Sequence, residues 1–189
     1  MHSRITEVAG GPGDGGSSFI QEKVLPGFES EAGFDGLVLL VGEGGRGISV
    51  ALFSDQDALG ATDEQAAGFR SEASDRGYEV SLFGTFEVVG SDIRGGDPAA
   101  ARFLRLTGGD IGPVFRDTVI PTFGAVDGYL GAIAGTSNGS GFGMSLWRDE
   151  ASRDGATDAI SQIREAMGAA GVTIDSAEEL SVGIARLPA

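Results

Sequence analysis

The sequence predicts an α+β protein in which one β-α-β-β-α-β unit is used twice. Three observations carry that expectation: an internal repeat, strands that alternate apolar and polar side chains, and helices with matching caps and terminating glycines. VLPGF at 24–28 is matched by VIPTF at 119–123, 95 residues on. Gly33-Phe34-Asp35-Gly36 is matched by Gly128-Tyr129-Leu130-Gly131 at the same spacing, and GATD at 60–63 recurs unchanged at 155–158. Leu52-Phe53-Ser54-Asp55 pairs with Leu146-Trp147-Arg148-Asp149 at a spacing of 94, and RITEVAGG at 4–11 pairs more loosely with RFLRLTGG at 102–109. The chain of 189 residues therefore divides into a first repeat, 1–90, a linker, 91–98, and a second repeat, 99–189.

Each repeat opens with a short strand, 4–8 or 102–106, followed by a Gly-rich turn. A helix comes next, near 18–25 and 113–120. Ser18 and Gln21 have capping-box spacing, Pro113 suits a first helical position, and Pro26 and Pro121 are expected to end these helices. A hairpin follows, its first strand near 34–41 or 129–134. In its second strand Ile48, Val50 and Leu52 share a face, as do Phe142, Met144 and Leu146. The intervening EGGRG and TSNGSG are turn sequences. Thr62 with Gln65 reads as the cap of the second helix, whose apolar stripe is Ala66, Phe69 and Ala73, or Ile160, Ile163 and Met167. Gly77 and Gly171 stop it. In the first repeat's last strand Val80, Leu82, Phe86 and Val88 alternate with polar residues. This order is the ferredoxin-like unit.

That order, the helix ending in V-[LI]-P-x-F, the G-[FY]-x-G entering the second strand and the L-[FW] ending the third resemble the dimeric α+β barrel superfamily, in its antibiotic-biosynthesis-monooxygenase-like form. The resemblance covers nearly the whole chain, once per repeat. It implies two tandem ferredoxin-like repeats that pair their antiparallel sheets into an α+β barrel, an intramolecular pseudo-dimer in which a further homodimer stays open. The physical reason is that an open sheet with helices on one face leaves its other face apolar, and a covalently linked twin covers it at high effective concentration. The resemblance implies a cofactor-independent monooxygenase-like or related small-molecule enzyme acting on an aromatic or apolar substrate. The alternative is a non-catalytic small-molecule-binding or structural protein of the same fold. Haem-binding relatives need an internal histidine, and the only histidine here is His2, beside the N-terminus.

Composition narrows the chemistry. There are 28 acidic and 13 basic residues, a net charge of −15, no cysteine and one histidine. This excludes disulfides, thiolate nucleophiles and Cys or His-rich metal sites, and argues against nucleic acid and anionic membranes as partners. No metal and no cofactor are expected. The N-terminal MHSRITEVAGG has no apolar core of a signal peptide, and no stretch approaches a membrane span, so a cytoplasmic location is expected. Glycine is abundant, 33 residues, but scattered among apolar segments rather than forming a disordered tract.

The candidate site residues are aromatic. Trp147, the only tryptophan, and its counterpart Phe53 end the third strand on a face otherwise lined by Ser, Ala or Gly. Small residues beside one large ring leave room between sheet and helices, so Trp147, Tyr129 and Phe53 are read as lining a pocket for a flat apolar ligand, against the plainer reading that they are core. The second repeat, with the polar-tipped Trp147 and Tyr129, is the favoured half. No catalytic residue is identified, and neither Tyr78 nor Tyr129 has a recognisable base beside it. Gly11–Gly16 and Gly42–Gly47 both fit G-x-G-x-x-G, and only the first lies between a strand and a helix, which leaves nucleotide binding there as a third, weaker reading. Residues 55–60 begin like a calcium loop but lack its later ligands, and read as acids at a helix start.

Overall fold

The computed structural model describes residues 1–187 and contains the expected unit twice. In the first repeat β1 (His2–Gly10) leads to a helix in three pieces: α1 (Ser17–Phe19), a π-turn (Ile20–Val24) and α2 (Leu25–Glu29). The hairpin of β2 (Phe34–Val41) and β3 (Gly47–Phe53) follows, then α3 (Gln56–Ala61), α4 (Asp63–Asp75) and β4 (Tyr78–Ile93). The second repeat runs β5 (Ala100–Thr107), α5 (Ile111–Val114), a π-turn (Phe115–Val119) and α6 (Ile120–Gly124). It continues with β6 (Tyr129–Ser137), β7 (Ser140–Trp147), α7 (Glu150–Gly155), α8 (Thr157–Ala169) and β8 (Thr173–Arg186). The strands hydrogen-bond in the order β1-β3-β2-β8-β5-β7-β6-β4 and close into a barrel.

The chain forms two compact units. One holds Met1–Thr85 with residues 182–187, and the other holds Phe86–Ser181. The long last strands are thus divided: β4 and β8 each begin in the unit of their own repeat and end in the other. The second half of β4 pairs with β6 as far as Ile93 opposite Gly131, so the strand runs three residues into 91–98.

In each unit the helices cover one sheet face. In the first, Leu37, Leu39, Ala51 and Phe53 pack against Ile20, Leu25, Phe28 and Ala66. In the second, Ala132, Ala134 and Trp147 pack against Phe115, Val119, Phe123, Ile163 and Met167.

Three local expectations need correcting. Pro26 and Pro121 do not end their helices, because each follows a π-turn. Leu25 and Ile120 donate to the carbonyls of Ile20 and Phe115, five residues back. The wider turn gives the proline ring room beside the carbonyl it would otherwise strike, so the helix continues to Glu29 and Gly124. Ser18 is not the first cap either: Asp14 accepts from the Gly16 and Ser18 amides, at 2.9 Å each. Finally, Thr62 donates to the Leu59 carbonyl instead of capping α4, and the side-chain cap belongs to Asp55 at the start of α3. Asp149 caps α7 in the same way. These helices start 94 residues apart, so the GATD matches are one residue out of structural register, and Thr62 stands where Ala156 does.

The G-[FY]-x-G motif has a backbone cause. Gly33 and Gly128 have φ of 83° and 79°, and Gly36 and Gly131 sit at β-bulges. A Cβ on Gly36 would lie 2.3 Å from the Arg186 carbonyl, and one on Gly131 would lie 2.6 Å from that of Asp92. Gly36→Ala and Gly131→Ala are each expected to cost about 1–3 kcal/mol in urea unfolding, the strain of a forced backbone position. Wild-type midpoints in both variants would show that the strand ends move aside freely.

Candidate functional site

The space between sheet and helices differs sharply between the units. In the second it is a cavity of about 290 Å³, and in the first about 60 Å³ remains. The larger cavity is roofed by Phe115, Val119 and Phe123 from the first helix and by Ile160, Ile163 and Met167 from α8. Its floor is Leu104 on β5, Ala132 and Ala134 on β6, Gly143 and Ser145 on β7, and Ile174 and Ala177 on β8.

The strand pairings give the cause. Leu37 and Leu39 on β2 occupy the places of Ala132 and Ala134 on β6. Two leucines facing the helices in one repeat are alanines in the other. On the helix side Phe69 fills the first unit, packing edge-on against Phe28 with ring centroids 5.6 Å apart. A Cβ on Gly27 would lie only 2.5 Å from the Phe69 ring, so this close fit uses the glycine of VLPGF. The second repeat has Thr122 in VIPTF and Ile163 at the position of Phe69. Ile160 and Met167 are larger than their counterparts Ala66 and Ala73, yet they do not refill the volume lost beneath them.

The candidate aromatics form a support beside the cavity. Trp147, Tyr129 and Phe123 make a triangle with centroids 5.1–5.7 Å apart, all three buried. Phe123 faces the cavity, and Trp147 and Tyr129 stand behind it. Phe53, Phe34 and Phe28 make the same triangle in the first unit, where the space lined by Phe28 is about 60 Å³. The second triangle adds two polar atoms. Trp147 Nε1 donates to Ser145 Oγ at 3.0 Å. Burial, and then the nearby Asp92 carboxylate, push the Tyr129 phenol well above its ordinary range, so it stays neutral. The Arg94 guanidinium lies 4.8 Å over the Tyr129 ring.

The charged lining residues are Arg102, which stands opposite Ser145 on β5, Arg164 and Glu179. Arg102 Nη2 bonds Glu179 Oε1 at 2.5 Å, and Arg153 reaches the other oxygen of Glu179 at 3.7 Å. Arg164 is exposed. Residue-by-residue matching of the repeats finds this site: Leu37 against Ala132, Leu39 against Ala134 and Ala51 against Ser145 are the visible signal. Reading each copy for its large side chains misses it, because the site is made by small ones.

In the Gly-rich turn at 11–16 an internal carboxylate stands where an anion would bind. Its amide donors at Gly16 and Ser18 are taken by Asp14, which also accepts from Tyr78 Oη at 3.2 Å. Asp14 is therefore the acidic neighbour of Tyr78 that the sequence did not identify. Partial burial works to raise the Asp14 pKa, but these hydrogen bonds outweigh it and hold the carboxyl below its ordinary range. Asp55 accepts from the Ala58 amide at 2.8 Å, the helix-start role read from residues 55–60. His2 lies in β1 opposite Phe53. Among the described residues no three acidic or histidine side chains are grouped to hold a metal ion, and no helix is long and apolar enough to cross a membrane.

No protein-family model and no curated protein matches the sequence. Solved structures do match in fold. A provisionally named monooxygenase from Fusobacterium nucleatum superposes over 100% of this chain and 98% of its own, with a TM-score of 0.66 at 13% identity. Another from Lactobacillus acidophilus covers 99% and 97%, with a TM-score of 0.65 at 8% identity. A haem-degrading enzyme from Listeria monocytogenes covers 96% and 98%, with a TM-score of 0.54 at 9% identity. The shared property is the fold. Haem itself does not suit the cavity described here. About 150 Å³ suffices for one benzene ring, so about 290 Å³ is too small to enclose a tetrapyrrole. The single histidine of the chain is His2, in the other unit.

Because Asp14 already satisfies the donors of the first Gly-rich turn, ATP and NAD at millimolar concentration are expected to leave Tm unchanged. A rise of several degrees in a thermal-shift assay would show that a phosphate displaces Asp14.

Proposed function

We propose that this protein binds a small, largely apolar molecule of about two fused rings in the second repeat, between sheet and helices. The observation that supports it is the volume left by Ala132 and Ala134 where the first repeat has Leu37 and Leu39. A soluble domain fills its core to crystal-like density, and a void lined by apolar atoms forfeits contacts that a ligand restores. A cavity of this size with a few polar groups is the usual form of a small-molecule site. Trp147, Tyr129 and Phe53 enter this reading differently: Trp147 and Tyr129 position Phe123 against the ligand, and Phe53 does the corresponding structural work in the repeat without a site.

A second reading adds chemistry. Cofactor-independent monooxygenation needs an acidic substrate held in a dry, shaped space, and the mostly apolar floor and roof of this cavity support that reading. The fold shared with proteins named as monooxygenases favours it. The described cavity offers no unpaired carboxylate or imidazole as a base, since Glu179 is held by Arg102 and Arg153. On this reading the substrate supplies its own acidity.

The double variant Ala132→Leu/Ala134→Leu restores the first repeat's side chains and tests the proposal. It is expected to gain about 0.5–2 kcal/mol in stability, as cavity filling does, and to lose calorimetric binding of bicyclic aromatics such as indane. Oxygen uptake with 1-naphthol above the protein-free rate, abolished by the same variant, supports the monooxygenase reading. Undiminished ligand binding in the filled variant would contradict a site in this cavity.

A further inference from the structure

We infer that Ser145 is a specificity-determining residue of this cavity, and that the ligand carries an accepting oxygen, of the carbonyl or phenolic kind, set against β7. The inference rests on the binding reading above and deepens it from an apolar ligand to a class defined by one oxygen. Three hydroxyls line the cavity: Ser145, Thr157 and Ser161. Thr157 donates to the Asp154 carbonyl at 3.0 Å, and Ser161 to that of Thr157 at 3.1 Å. Their protons are spent on the helix.

Ser145 is different. It is buried, 6% exposed, and its Oγ accepts the Trp147 indole N–H at 3.0 Å. That bond occupies one lone pair and fixes the rotamer, and the serine proton has no acceptor among the described residues. A buried donor without a partner is costly, and native structures rarely leave one so. A water is a poor remedy here. It needs two to four polar partners, and the direct cross-strand neighbours of Ser145 are Ala132 on β6 and Arg102 on β5, whose guanidinium is already engaged by Glu179. A ligand oxygen needs only the one donor and brings its own apolar surroundings.

The first repeat supports the assignment. At the positions of Ser145 and Trp147 it has Ala51 and Phe53. Both polar atoms are missing together from the repeat whose space is filled. The indole N–H and the serine hydroxyl therefore work as a pair: Trp147 is the positioning residue, and Ser145 is the group that touches the ligand.

The test compares 1-indanone with indane, which differ by one carbonyl oxygen and each have two fused rings. Binding is measured by calorimetry to the full chain as wild type, Ser145→Ala, and Ser145→Ala/Trp147→Phe. The double variant installs the pair already present in the first repeat, so loss of folding does not confound it, and circular dichroism checks this. The quantity read is the ratio of the two Kd values, because comparing ratios between variants cancels the ligands' different solvation. The ratio is expected to shift against indanone by about fivefold in both variants, the size of one neutral hydrogen bond, with indane affinity retained. An unchanged ratio, with both ligands binding wild type, overturns the role of Ser145 and leaves the cavity reading standing. Failure of both ligands to bind wild type overturns the cavity reading, and this inference with it.

Discussion

Helices laid across one face of a sheet leave a layer of space that side chains have to fill, and everything distinctive about this chain follows from how each repeat meets that demand. The first repeat meets it with Leu37, Leu39 and Phe69. The second has Ala132, Ala134 and Ile163 at those places, and the larger Ile160 and Met167 opposite do not compensate. Protein interiors tolerate few voids larger than a water. Removing two leucines' worth of packing costs several kcal/mol when nothing replaces it. A cavity of about 290 Å³ is thus a stability cost concentrated at one place.

The backbone devices that shape the layer are the same in both units. A π-turn carries each first helix past its proline, and paired glycines start each second strand at a bulge. Behind the layer, each unit keeps an aromatic triangle, Phe28-Phe34-Phe53 or Phe123-Tyr129-Trp147. Shape and filling are therefore separable. Duplication supplies two equal frames, and a handful of substitutions on the inner face of one frame leave a cavity in it without disturbing its strands. The polar atoms follow the space: the indole N–H and Ser145 hydroxyl appear only where there is a cavity to face.

Most of the fold was legible in the sequence, because its signals are periodic or repeated. Strand alternation, the glycine stops at Gly77 and Gly171 and the doubled motifs all report local backbone geometry. What misled was equally physical. Pro26 and Pro121 are helix breakers in an α-helix but not after a π-turn, and one sequence cannot announce which turn precedes them. GATD matched at 95 residues while the helices are equivalent at 94, so identity and structural register parted by one residue. The site was half legible. Small residues on the third strand and the choice of the second repeat pointed to the layer that holds the larger cavity. Trp147 and Tyr129 are the conspicuous side chains, whereas a cavity is defined by absent volume, which shows only when the repeats are set against each other position by position.

The most direct test of this account is a crystal structure of the protein under xenon pressure, since xenon enters apolar voids without needing a specific ligand. The account predicts xenon above Ala132 and Ala134, beneath Met167, and none beneath Phe69 in the first repeat. Equal occupancy of both repeats, or none in either, would contradict the claim that one repeat alone keeps an open apolar layer.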